Sequence, residues 1–144
     1  SIEPSIAASI EPSIEPSIEP SIAPSNEASF DAACLRTSTL ERAKLDGCTF
    51  RKAKLTKAIL ARSALDRCVF TDADLDGTNF IHATGQAGDL GGASLVAADL
   101  RQTKLADMNF ERADLRRVNA HKASLVGARF DGAQLALGDA WMRA

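Results

Sequence analysis

The chain has 144 residues, 45% hydrophobic and 25% charged, with a net charge of −2. That balance excludes a uniformly acidic or basic protein, and three cysteines, an odd number with no close pair, suggest neither a disulfide framework nor a zinc knuckle. No uninterrupted apolar run approaches membrane-spanning length, so no membrane partner is expected.

Residues 1–24 read SIEP SIAA SIEP SIEP SIEP SIAP, a four-residue repeat that holds all five prolines. Proline lacks an N–H and restricts the residue before it, so the segment cannot be a regular helix or a central strand. It reads as an extended, polyproline-like spacer, roughly 75 Å long at about 3.1 Å per residue. Six of the eight isoleucines lie here in steps of four, from Ile2 to Ile22, where solvated linkers are normally poor in isoleucine. Two readings stand side by side for residues 1–27. One is a bland linker amplified by duplication. The other is a docking strip whose Ile10, Ile14, Ile18 and Ile22 seat on a partner or on this chain's own coils. The chain starts at Ser1 without Met and shows no charged stretch followed by an apolar one. It therefore reads as a module joined by a linker to something upstream, with no secretory signal and an expected place in a bacterial cytoplasm.

From Phe30 to Leu135 every fifth residue is Leu or Phe, except Gly85 and Ala120. Two residues before each of these centres sits a small side chain, such as Ala28, Ala33, Ser38, Ala43 or Cys48, with Met108 the one long member of that row. A helix needs apolar spacing of three and four, and a flat strand needs two, so a strict five fits neither. It fits a coil whose sides are five residues long, with large centres and small partners turned inward. Five of the six phenylalanines, Phe30, Phe50, Phe70, Phe110 and Phe130, are separated by multiples of twenty, as are Cys48 and Cys68. Four sides per turn would stack each set in one column.

Ala73-Asp74-Leu75-Asp76-Gly77, Ala98-Asp99-Leu100-Arg101-Gln102 and Ala113-Asp114-Leu115-Arg116-Arg117 follow the pattern A(D/N)Lxx. In this the chain resembles the pentapeptide-repeat family from Ala28 to about Gly138. The resemblance implies an all-β fold, a right-handed quadrilateral β-helix, for residues 28–138. About five and a half coils at a ladder spacing of about 4.8 Å would make a rod of roughly 26 Å. Such a solenoid needs capped ends, and residues 139–144, with Trp141 and Met142, are expected to lie over the last coil. Gly85 removes a core side chain, and Gly88, Gly91 and Gly92 loosen the backbone around it. A bulge, a bend or a small void is expected there.

Charge is unevenly distributed along the chain. Residues 1–27 carry five acids and no base, residues 28–70 a net of +5, residues 71–100 a net of −5 and residues 101–144 a net of +3. Lys52, Lys57, Arg62 and Arg67 fall at equivalent positions in four successive units and would girdle one turn of the rod. That girdle is either an anion-binding belt or a set of ordinary solvated corners. The acidic N-terminal segment is a candidate to fold back onto it.

Motifs for chemistry are absent or incomplete. Asp72-Ala-Asp74-Leu-Asp76-Gly77 opens like a calcium loop, but the twelfth position is Ala83 instead of a bidentate Glu. His82 and His121 would lie on one side about two turns apart, too far to share a metal. Cys48 and Cys68 are expected to substitute for alanine as small core residues. No Ser, Cys or Thr has an identifiable His partner, and the stretch after Gly85 lacks the Lys and Ser/Thr of a phosphate loop. No enzyme activity, cofactor or metal is expected.

What remains is a non-enzymatic binding or scaffold module with a protein partner, a tethered part of a larger bacterial protein or assembly such as a secretion-associated one. The family resemblance offers an alternative, because some pentapeptide-repeat proteins resemble B-form DNA, bind type II topoisomerases and confer quinolone resistance. That role needs a strongly acidic rod, whereas residues 28–144 here sum to +3. Nucleic acid is not the expected partner, since no aromatic residue falls outside the core rows before Trp141 to stack on bases.

Overall fold

The computed structural model describes residues 28–135. The N-terminal strip at 1–27, the last residues of the expected rod and the expected cap at 139–144 lie outside the described residues. Within 28–135 the chain winds as a right-handed quadrilateral β-helix of about five and a half coils. Every backbone bridge is parallel and joins residues twenty apart, from Ser29 with Thr49 to Asp114 with Gln134. The four sides are centred on Phe30, Leu35, Leu40 and Leu45, and each continues in steps of twenty.

The five-residue unit satisfies its backbone in a fixed way. The centre donates up the rod, as Phe50 N–H does to Val69 O at 2.6 Å, and the residue before it donates down, as Thr49 N–H does to Ala28 O at 3.0 Å. The residue two past the centre also donates upward, as Lys52 N–H does to Thr71 O at 2.9 Å, and the next closes a turn, Ala53 N–H to Phe50 O at 3.1 Å. One N–H per unit, just past the centre, is left over. Where the residue before the centre is Asp or Asn, its side chain accepts that N–H: Asn79 from Ile81, Asp89 from Gly91 and Asn109 from Glu111, all within 2.9 Å. Elsewhere an aspartate one coil earlier does the same work, as Asp31 does for Arg51, Asp46 for Asp66 and Asp76 for Val96. A backbone donor without a partner is costly, which explains why the repeat favours Asp and Asn before the centre.

Each corner turns through a residue of positive φ. Lys52, Lys57, Arg62 and Arg67 have φ of 57°, 59°, 60° and 57°. Such values are uncommon for residues with a side chain, and here the inter-coil hydrogen bond of the same residue holds them in place.

The interior is a set of side-chain columns. Phe30, Phe50 and Phe70 are stacked, with ring centroids 5.0 and 4.8 Å apart and planes within 8° and 6°, and Phe110 stacks on Phe130 at 5.3 Å. Phe50, Leu55 and Leu60 are fully buried, and each such side chain stabilises by about 1.5–3 kcal/mol relative to exposure. Cys48 and Cys68 are buried members of the small row. Cys68 Sγ donates to Leu45 O at 2.8 Å, and burial pushes its thiol pKa up.

The glycine-rich stretch shows one of the expected departures, a bend at Ala87. No bulge interrupts it: β1 (Thr84–Gln86) pairs in parallel with β2 (Lys104–Ala106), keeping the twenty-residue register through Gly85 and Leu105. Two close contacts mark the stretch. At Gly85 a Cβ would come within 3.0 Å of the Leu65 carbonyl carbon and oxygen, so the backbone has closed on the coil before it. Met108 is buried against Gly88, whose N–H points at its Sδ 3.1 Å away. A cavity of about 10 Å³ lies instead at the other gap, among Leu100, Val118, Ala120, Leu125 and Phe130.

Candidate binding surface

The side chains left for function are those at the corners and those just before each centre. Lys52, Lys57, Arg62 and Arg67 do occupy one turn, exposed, but each sits on a different corner. They point away from the axis in four directions, so no single linear ligand can engage all of them. Ile10, Ile14, Ile18 and Ile22 lie outside the described residues.

Reading the charges by column, twenty residues at a time, gives a different picture from reading them along the chain. The second corner, after the Leu35 column, carries Arg36, Lys57, Arg116 and Arg117 with Asp76. The third corner, after the Leu40 column, carries Arg42, Arg62, Arg101 and Lys122 with Glu41. The side between them holds one charge, Asp99, and the fourth side holds Lys44 and Lys104. This half of the rod therefore has ten cations against three acids, a net of +7. The opposite half has six cations against ten acids, a net of −4. The +5, −5 and +3 segments of the linear sequence are thus recombined into two longitudinal halves of opposite sign.

The acids are more committed than the cations. Asp74, Asp89, Asp99 and Asp114 accept backbone N–H groups of their own units. Arg101 donates to Asp99 through Nε and Nη2 at 2.9 and 2.7 Å, and Arg116 donates to Asp114 in the same way at 2.8 and 2.7 Å. The Arg116 guanidinium holds the Asp114 carboxyl below the usual carboxylate range. Arg62 lies 3.5 Å from Glu41. Lys44, Lys104 and Lys122 are exposed and have no carboxylate within ion-pair distance among the described residues.

On the third corner Ile81, Arg101, Gln102, His121 and Lys122 line a shallow open groove of about 270 Å³. His82 and His121 share this corner, about two coils apart, and both are exposed. Ile59, 37% exposed, stands on the adjoining third side. The surface thus offers cations, two imidazoles and small apolar seats along one edge. Among the described residues no group of three His, Cys, Asp or Glu is placed to hold a metal ion. Asp74 and Asp76 of the calcium-like run are tied to backbone N–H groups, and Asp76 also accepts from Ser94 Oγ at 2.5 Å. No helix is long and apolar enough to cross a membrane among the described residues.

Sequence reasoning found the girdle but missed this sorting. The signal was present: the same residues, counted modulo twenty instead of along the chain, separate into the two halves.

A regular four-sided coil built on a five-residue unit defines a class of repeat solenoid. The family model for pentapeptide repeats matches residues 26–62, 63–102 and 93–132, with eight copies, and the chain belongs to that family. Among solved structures it is similar to trypsin-treated QnrB1 R167E, a plasmid-mediated fluoroquinolone resistance protein. The identity is 23%, over 77% of this chain and 59% of that one, with a TM-score of 0.47. It is also similar to the pentapeptide repeat protein Rfr23 of the cyanobacterium Cyanothece 51142, at 21% identity over 77% and 83% with a TM-score of 0.28. A third is a pentapeptide repeat protein of the Arabidopsis thaliana thylakoid lumen, at 18% identity over 81% and 66% with a TM-score of 0.29. The chain spans under two thirds of the QnrB1 fragment it matches. No curated protein matches significantly.

Proposed function

We propose that the chain is a non-enzymatic binding module that holds an acidic polypeptide along the basic half of its rod, with residues 1–27 as its tether. The observation that carries this reading is the sorting of ten cations against three acids on one side of the section. Solenoids commonly bind through such extended faces, and clustered charge of one sign raises the association rate of an oppositely charged partner. A polypeptide suits the surface better than single-stranded nucleic acid, because every described phenylalanine belongs to the core columns and none is left to stack on bases.

The test is titration of the chain with a fluorescent poly-glutamate peptide, followed by anisotropy. Binding is expected to weaken at least tenfold in the Arg42→Glu/Lys44→Glu/Lys104→Glu variant. The control Lys52→Glu/Lys54→Glu, on the other half, should bind as the unaltered chain does. Equal loss in both variants, or tighter binding of duplex DNA than of poly-glutamate, would refute the reading.

A second reading, binding to a type II topoisomerase through a DNA-like surface, draws its support from the opposite half, where acids outnumber cations ten to six. Inhibition of gyrase supercoiling by the chain, lost on neutralising Asp46, Asp66 and Asp107, would favour it over the first.

A further inference from the structure

Resting on the basic half as the binding surface, we infer that its first occupant is the chain's own segment 10–22, laid along the third corner as an intramolecular competitor of the acidic partner. Residues 1–27 hold five glutamates and no base, opposite in sign to the +7 half. The segment alternates Glu11, Glu15 and Glu19 with Ile10, Ile14, Ile18 and Ile22. The rod offers both kinds of contact within one edge: Arg42, Lys44 and Lys122 for carboxylates, and exposed Ile59 with the groove at Ile81 for isoleucine.

Reach and direction agree with this. The described rod begins at Ala28, where the fourth corner meets the first side, so the chain enters one side away from the third corner. At about 3.1 Å per residue, segment 10–22 spans roughly 40 Å when extended, enough to cover the roughly 26 Å of five and a half coils at about 4.8 Å each. A proline in every fourth position removes the N–H groups that pairing with the first coil's edge would need, so the third corner is a better seat than the end. Tethering makes the encounter intramolecular, at an effective concentration on the order of millimolar.

The experiment uses the full chain. A zero-length carbodiimide couples glutamate carboxyls to lysine amines in contact, and the products are mapped by mass spectrometry. Glu11, Glu15 and Glu19 are expected to couple at least fivefold more to Lys44, Lys104 and Lys122 than to Lys52 and Lys54, and the coupling is expected to disappear at 0.5 M salt. Mixing isotope-labelled with unlabelled chain should give no mixed products. Coupling spread evenly over all lysines, or found only between chains, would overturn the inference. The Glu11→Gln/Glu15→Gln/Glu19→Gln variant, which alters no residue of the rod, should bind poly-glutamate at least threefold tighter. Unchanged affinity there would sink the segment as competitor while leaving the binding surface itself standing, and loss of poly-glutamate binding by the unaltered chain and this variant alike would sink the surface.

Discussion

Gly88 and Met108 form a matched pair across adjacent coils. A Cβ on residue 88 would lie 2.9 Å from Met108 Cε, and the Gly88 N–H faces Met108 Sδ at 3.1 Å. The one long residue of the small row thus sits over the one glycine of that row. Gly88→Ala should destabilise by about 1–3 kcal/mol through overpacking, and Met108→Ala by about 2–5 kcal/mol through the cavity it leaves. In urea unfolding, the double variant should lose at least about 1 kcal/mol less than the sum of the two. Additivity to within about 0.5 kcal/mol would show that the pair is not coupled.

Phe50 is fully buried and stacked between Phe30 and Phe70, whereas Phe130 is partly exposed near the end of the described rod. Phe50→Ala should cost about 3–5 kcal/mol. Phe130→Ala should cost less than half as much. Equal losses in thermal or urea melts would mean that the columns do not share load between neighbouring coils.

Ser38 and Thr78 occupy the same column, yet of their two hydroxyls only that of Thr78 is hydrogen-bonded, donating from Oγ1 to Leu55 O at 2.9 Å. Ser38 Oγ is buried without a partner. Ser38→Ala should therefore leave stability unchanged or raise it, while Thr78→Val should cost about 1 kcal/mol. The comparison is made by matched unfolding curves.

The three cysteines should differ in reactivity. Cys34 is partly exposed with Arg36 Nη1 3.2 Å from its sulfur, whereas Cys48 and Cys68 are buried and burial pushes the Cys68 thiol up. Thiolate is the reactive form. A chromogenic disulfide reagent should modify one cysteine in the folded chain and all three in guanidinium. Rapid modification of three in native buffer would contradict the packing.

The Asp114–Arg116 pair should show in acid. The Arg116 hydrogen bonds lower the carboxyl below its unfolded value of about 3.9. The pair's contribution is therefore present above that value and fades as pH falls through the lower folded pKa. In Arg116→Gln, the Asp114 carboxyl followed by carbon NMR should titrate at higher pH than in the unaltered chain. An unmoved midpoint would show that the guanidinium does not hold it.

The architecture was legible in the sequence because it depends on residue size alone. Large at every fifth position and small two before it specify the columns, and Phe30, Phe50 and Phe70 are stacked as the twenty-residue spacing requires. The behaviour of Gly85 and Gly88 was not legible, since it depends on how closely the backbone at Gly85 approaches Leu65 and on where the thioether of Met108 settles beside Gly88. The role of the aspartates was not legible either: many serve the leftover N–H of each unit. That role becomes visible only once the other donors of the unit have been assigned. The basic half escaped notice because its members, such as Arg42 and Lys122, are far apart in the chain and meet only after folding.

Inside and outside obey different arithmetic. Deleting one five-residue unit would rotate everything after it by a quarter turn, and the columns would still meet Leu or Phe with Leu or Phe. The exterior would not survive the same edit, because Lys104 and Lys122 would leave the edge that Arg42 and Lys44 define. Duplication in whole twenties preserves both, so descent by full turns is the path that lengthens such a rod without scrambling what it presents to its surroundings.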